Sequence, residues 1–284
     1  MIKLFLPPAV YLKLKSLPIA AIFTPNYLNW NSEESHHSLM NNILLNNGVA
    51  KTTQPGRFTE IDSWLAQNFH KSCVSIHDIA VSSGITSLEL KQKLESDGFK
   101  VNLSISDKFM SLSYFKRNFI TYFYDIDGNF VIGNIFGIVA QKNCNNFFFI
   151  SRLLSKVISK NAKKCFDNCL PELLLLHPEV CSSINQKEIT FINYDIFKTS
   201  INNKFDIVRA MNILNPIYFD VNEIKRAVRL IFNSLTEGGI FIIGRTHLDD
   251  NKNHVSVYVK KDGHFKLIKS FNGGSEVSNN VKFF

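Results

Sequence analysis

The sequence predicts an α/β fold built on a seven-stranded, mostly parallel sheet with helices on both faces, and three observations carry that prediction. Short β-branched runs recur at Val74–Val81, Lys100–Asp107, Glu188–Phe197, Phe205–Leu214 and Ile240–Gly244, each of strand length and edged by turn-forming residues. Helical spacing fills the gaps. Thr86, Leu88, Leu90 and Leu94 follow the first run, and Ile224, Ala227, Val228, Ile231, Phe232 and Leu235 precede the last. The tail then alternates on both sides of Lys261-Asp262-Gly263, a terminal antiparallel hairpin that supplies the remaining two strands. Strand and helix in alternation imply parallel pairing, because each crossover helix returns the chain to the same end of the sheet.

Composition narrows the class. With 45% hydrophobic and 20% charged residues, the 284-residue chain has the balance of a globular protein with a full core. The formal charge of +8 is spread along the chain, and its densest group, Lys156, Lys160, Lys163 and Lys164, is spaced as one helix face. A solvated face is favoured over an anionic partner, and nucleic acid is disfavoured as a ligand. Cys73, Cys144, Cys165, Cys169 and Cys181 form an odd set without a CxxC pair, so they read as reduced thiols of a cytoplasmic protein, with no metal site. Pro7, Pro8, Lys13, Lys15 and Pro18 break the apolar opening stretch. It therefore holds no transmembrane segment, makes a poor signal peptide, and is expected to pack on the domain.

In chain order, residues 1–70 read as a helical and extended cap, with one helix over His37–Leu45. A second helix carries Ile61, Trp64, Leu65 and Phe69 behind a capping box of Thr59 and Asp62. That helix is expected to cover the mouth of the site, with Arg57 and Trp64 packing more than touching a ligand. Residues 71–284 form the main domain, interrupted at about 108–187 by an inserted hairpin and helical segment. Asp127-Gly128-Asn129 marks the hairpin turn. Phe147–Leu154 with Val157 and Ile158 reads as an apolar helix, and Leu170–Leu176 as another. The stretch DIDGN lacks the acidic ligands and terminal Glu of a calcium loop.

Chemistry concentrates where the first strand breaks. Ala80, Ser82 and Gly84 stand where a nucleotide-binding loop carries its glycines, with Asp78 just before them and a helix just after. Asp107 closes the second strand about 20 residues beyond that loop, the position at which a carboxylate pairs its two oxygens with the vicinal hydroxyls of a ribose.

Taken together, HDIAVSSG, SISD, NYDIF, FDIVRAMNIL and SLTEGGIFIIG resemble the class I S-adenosylmethionine-dependent methyltransferases, whose sheet is Rossmann-like. The last two stretches resemble the chemotaxis-receptor methyltransferases, through Arg209, Asn212, Leu214, Tyr218, Phe219, Asp220, Gly238 and Gly239 in that order. The resemblance spans roughly Val74 to Phe271 outside the insertion. It implies S-adenosyl-L-methionine as cofactor, with the backbone of Ala80, Ser82 and Gly84 lining its methionine and ribose portion. It also implies Asp107 on the ribose, Asp195 and Ile196 beside the adenine, and Arg209 and Asn212 where donor meets acceptor. Asp78 either orients the loop or approaches the methionine amino group through water, and a purely structural carboxylate is an equal alternative. His247 is the best-placed general base, ahead of Tyr218 and Asp220. Two departures limit the reading. Ala80 and Ser82 replace glycines, and two residues separate Arg209 from Asn212 where the chemotaxis enzymes have the pair adjacent, so receptor specificity does not carry over. The expected activity is methyl transfer to an unknown small-molecule or protein acceptor. The alternative is a catalytically silent module that binds the cofactor or a protein.

Overall fold

The computed structural model describes residues 2–4 and 54–281, apart from 119, 136–137, 142–148, 168, 193, 203 and 248. The expected helix at His37–Leu45, most of the cap and Cys144 lie outside the described residues. The chain divides into two compact units, one holding Gln54–Lys108 with Glu179–Phe284 and the other centred on Phe109–Pro178. Helix α1 (Thr59–Asn68), grouped by sequence with the cap, falls in the first of these.

The larger unit carries the seven-stranded sheet. Its parallel strands are β2 (Cys73–Ile79), β3 (Lys100–Ser106), β9 (Ile189–Phe191), β10 (Phe205–Met211) and β11 (Leu235–Thr246). The antiparallel hairpin is β12 (Asn253–Lys261) and β13 (His264–Phe271). The order is β13-β12-β11-β10-β2-β3-β9. This is the Rossmann-like α/β arrangement: the chain moves outward one way through β2, β3 and β9, and the other way through β10 and β11. Helix α2 (Ile85–Ser96) joins β2 to β3, and helix α5 (Val221–Ser234) joins β10 to β11. Right-handed crossovers in opposite directions put these two helices on opposite faces. The strand order reverses between β2 and β10, and ligands of such sheets sit outside the carboxyl ends at that point.

Local chemistry explains most boundaries. Asp220 caps α5 by accepting from the backbone of Asn222 and Glu223, while Glu223 returns a bond to the Asp220 N–H. Ile224, Ala227, Val228 and Ile231 of α5 then pack on Val208, Phe241 and Ile243. The hairpin turn puts Asp262 at φ 52° and Gly263 at φ 78°, the pairing whose twist matches antiparallel strands. Gly244 is required by close approach, since a Cβ there would lie 2.3 Å from the carbonyl oxygen of His254 on β12.

The second unit departs from the expected hairpin. It is a six-stranded antiparallel sheet, in the order β1-β7-β6-β5-β4-β8. The strands are β1 (Ile2–Leu4), β4 (Ser111–Arg117), β5 (Ile120–Tyr124), β6 (Phe130–Ile135), β7 (Ile138–Gln141) and β8 (Glu172–Leu174). The Asp127-Gly128-Asn129 hairpin is present between β5 and β6, where Asp125 Oδ1 accepts from the N–H groups of Asp127 and Asn129. Helix α3 (Phe149–Cys165) lays Ile158 and Ala162 on Tyr122, Tyr124 and Phe130. The helix expected at Leu170–Leu176 is instead the edge strand β8, which pairs with β4 and brings Leu173 and Leu175 onto the cluster of Leu112, Phe123 and Val131. Helix α4 (Pro178–Asn185) leads back to β9.

Candidate functional site

The ladder between β2 and β3 ends at the pair Ile79 and Ser106. There the Ser106 carbonyl accepts from both Ala80 N–H (2.7 Å) and Val81 N–H (3.2 Å), which bends the chain out of the sheet. Ala80 (φ 60°), Ser82 (φ 57°) and Gly84 (φ 77°) all adopt the left-handed conformation, in alternation. Only glycine takes that conformation without strain. The loop thus holds three left-handed residues, of which only Gly84 is a glycine. Gly84 is the N-cap of α2, whose first turn has no side-chain cap and no acidic residue. Its leading N–H groups thus have no side-chain cap among the described residues.

Asp107 stands beside this loop. Its Oδ2 accepts from Ser82 N–H at 2.8 Å, so the tip of β3 and the turn after β2 are physically joined. Asp107 is half-buried, with a carboxylate anchored to the loop at that oxygen.

Arg209 differs from its expected place. It is wholly buried, and its guanidinium is spent inside the protein: Nη1 donates to Asp62 Oδ1 at 2.8 Å, and Nη2 to Asp78 Oδ2 and to the Thr86 carbonyl. It does not stand open to a methyl acceptor. The reason is register. Arg209 and Asp78 are partners across the parallel β10–β2 ladder and face the α1 and α2 side together. Burial opposes the guanidinium charge, but Asp78 and Asp62 outweigh it and hold the group above its ordinary value. Burial pushes the Asp62 carboxyl up to about 6, against the pull of Arg209 and with the help of Asp78 and Glu89. Asp62 is therefore not a capping residue; the N-cap of α1 is Phe58, without a side-chain cap. Asp78 also accepts from Ser87 Oγ at 2.6 Å.

The other predicted residues are spread along the carboxyl edge. Asn212 (φ 60°) is exposed just past β10; its N–H donates to the Gly244 carbonyl and its Oδ1 accepts from Thr246 N–H. Its carboxamide thus holds the end of β11. Thr246 Oγ1 in turn accepts from Arg57 Nε at 2.8 Å and donates to Asn253 Oδ1. His247, next along, stacks on His254 with ring centroids 4.0 Å apart. His254 is paired through Nε2 with Asp250 Oδ2 at 2.9 Å.

The adenine-flanking segment is shorter in strand than expected. β9 ends at Phe191, and Asp195 lies in a turn, where its Oδ1 accepts from Phe197 N–H. Ile196 is buried in the apolar cluster with Tyr194, so its side chain faces the core. Phe197 packs on Phe219 at 4.8 Å, joining this turn to the loop after β10. Trp64 stands edge-on to Phe271, a packing role.

Sequence reading missed the Asp62–Arg209 pair. Nothing in local spacing signals it, since 147 residues separate the partners. Among the described residues, no group of three or more His, Cys, Asp or Glu side chains is placed to hold a metal ion, and no helix is long and apolar enough to cross a membrane.

The sheet defines a Rossmann-like α/β protein, with a left-handed turn at the β2 tip. No family model and no curated protein matches the chain. Among solved structures it is similar to a candidate S-adenosyl-L-methionine-dependent methyltransferase from Methanococcus maripaludis, with 14% identity, TM-score 0.34, and 66% of this chain against 55% of that one. It is also similar to the PH0226 protein from Pyrococcus horikoshii (14% identity, TM-score 0.38, 82% and 84%). A third is an S-adenosylmethionine-dependent methyltransferase from Mesorhizobium loti (12% identity, TM-score 0.31, 68% and 55%). The chain spans about half the length of the first and third. These are distant likenesses, and the functional reading rests on the geometry of this chain.

Proposed function

We propose that the larger unit binds S-adenosylmethionine at the carboxyl edge of β2 and β3 and transfers its methyl group to a small-molecule or protein acceptor. One observation carries this reading: the Ser82 N–H to Asp107 contact, which sets a left-handed loop beside a carboxylate at the tips of β2 and β3, next to the switch point of the sheet. The donor set suits an adenosyl group. Asp107 offers acceptors to a ribose diol, the loop presents backbone without large side chains, and the first turn of α2 offers N–H groups to a carboxylate. Asp195 and the backbone at Ile196 lie in the turn assigned to the adenine.

The bound sulfonium supplies an activated methyl group, so the protein's task is to hold the acceptor in line and to exclude water. Asn212, at the end of β10, is the residue assigned to that alignment. His247 would act as a base for a hydroxyl or ammonium acceptor after leaving its stack with His254. A cytoplasmic location belongs to the same reading.

Calorimetry with S-adenosylmethionine tests it. Asp107→Ala should lose about 1.5–3 kcal/mol of binding free energy. Asp107→Asn keeps an acceptor for Ser82 N–H and so separates loop anchoring from contact with the diol. Equal affinity of wild type and both variants would remove Asp107 from the site, and absence of binding by wild type would remove the cofactor. The Cβ atoms of Ala80 and Ser82 in the loop favour the silent-binder reading, and transfer of labelled methyl from the cofactor to a cell extract decides against or for it.

A further inference from the structure

We propose that Arg209 is a positioning residue for the loop Ala80–Gly84: through Asp78, Thr86 and Ser87 it fixes the first turn of α2, and Asp62 braces it from α1. The inference rests on the reading of that loop as the cofactor site.

The loop hangs between two points, the end of β2 at Ile79 and the start of α2 at Ile85. Arg209 binds close to both. On the strand side it meets Asp78, one residue before the strand ends. On the helix side it takes the Thr86 carbonyl at 2.9 Å, while Ser87 Oγ donates to the same Asp78 oxygen at 2.6 Å. One guanidinium and one carboxylate oxygen therefore join β10, β2 and α2. Asp62 takes Nη1, and the Phe58 ring lies 5.3 Å from the guanidinium carbon.

Two physical arguments give this cluster a task beyond packing. A buried ionic cluster is a poor source of stability, because desolvation cancels most of the Coulomb gain and apolar side chains of similar volume do as well or better. Meanwhile Ala80 and Ser82 sit at φ 60° and 57°, a conformation that persists only where the surroundings over-determine it. Glycines would adopt it unaided. Without them, rigid ends must impose it, and the Arg209 cluster is what makes the ends rigid.

Ser87→Ala is the discriminating change. It leaves Arg209 with both carboxylates and removes the hydroxyl that ties Asp78 to the helix. Ser234→Ala is the matched control: Ser234 is equally buried, and its Oγ donates to the Ile231 carbonyl in α5, on the other face. Amide hydrogen exchange over residues 81–88 in the ligand-free protein should quicken roughly three- to tenfold in Ser87→Ala and stay unchanged in Ser234→Ala. Affinity for S-adenosylmethionine should fall by a similar factor in the first variant alone. Unchanged loop exchange in Ser87→Ala, or equal quickening in both variants, overturns the proposal. Should wild type bind no S-adenosylmethionine, the exchange data still decide whether the Asp78–Ser87 tie of the Arg209 cluster orders the loop, and only the cofactor assignment fails.

Discussion

His77 and Asp78 are neighbours in β2, and the pleat sends them to opposite faces of one sheet. Both are buried. On the α1 and α2 side, Asp78 enters an ionic cluster with Arg209 and Asp62 in which both carboxylates are bonded. On the α5 side, His77 lies among rings, 4.8 Å from both Tyr194 and Phe205, with Nε2 bonded to Ser106 Oγ and Nδ1 lacking a partner among the described residues. One face holds charge because a full-strength counter-ion is built into the facing strand. The other admits a polar ring only as a neutral group. Adjacent positions in one strand thus meet two different solvents, and the sheet between them is what keeps the two apart.

The largest effect should come from removing the counter-ion. Arg209→Met leaves Asp62 and Asp78 buried without a cation, and unfolding stability should fall by about 3–5 kcal/mol. Urea denaturation measures it. Converting this face into the other kind, with Asp62→Leu and Asp78→Leu added to Arg209→Met, should restore most of the loss while leaving the loop less ordered. If the triple variant is no more stable than the single one, the cluster is a stabilising element in its own right.

Acid should expose the second face. Burial lowers the His77 pKa from 6.5 to about 4, with Lys204 adding and Asp78 opposing. As pH falls through 6.5 the unfolded chain takes up a proton that the folded chain refuses until about 4. Stability is therefore complete above 6.5 and is lost on the way down, by on the order of 3 kcal/mol. Asp62 works with the opposite sign. Its folded carboxyl, raised to about 6, holds a proton that the unfolded chain has released, so this group favours the fold increasingly as pH drops from 6. His77→Phe should remove the acid loss and leave the Asp62 gain. Urea midpoints between pH 7 and pH 4 check it; an acid limb identical to wild type would show that another group carries it.

The same contrast explains what the sequence made legible. Apolar periodicity located β2, β3, β10, β11, the terminal hairpin and α5, because each buries a regular stripe. The loop and Asp107 could be singled out because their spacing is local, and a hydrogen bond does join them. The Arg209 cluster was invisible, since its members come from α1, β2, β10 and the first turn of α2, and only register brings them together. Arg209 was singled out only through the methyltransferase resemblance, which carried no hint that Asp62 would enclose it. Leu170–Leu176 misled for the converse reason: leucines favour helix locally, but pairing with β4 and packing on Leu112 decide for strand.

The smallest effects should come where the chain leaves the sheet between the two faces. Ala80 and Ser82 share nearly the same φ, yet glycine should act differently at each. Relief of a left-handed residue gains about 1–2 kcal/mol, and the freedom of glycine in the unfolded chain costs about 0.5–1 kcal/mol. Ala80 also packs its methyl on the apolar cluster of the α5 face, and losing that contact costs up to about 0.8 kcal/mol. Ala80→Gly should therefore stay within about 0.5 kcal/mol of wild type. Ser82 has no such contact to lose, and its Oγ is enclosed without a hydrogen-bond partner among the described residues. Ser82→Gly removes both the strain and the unsatisfied hydroxyl and should stabilise by about 1 kcal/mol. Thermal midpoints of the two variants compared side by side test the ranking. A destabilised Ser82→Gly would mean that its hydroxyl is held by a contact that appears only when the loop is occupied or rearranged, and the strain argument for this loop would have to be given up.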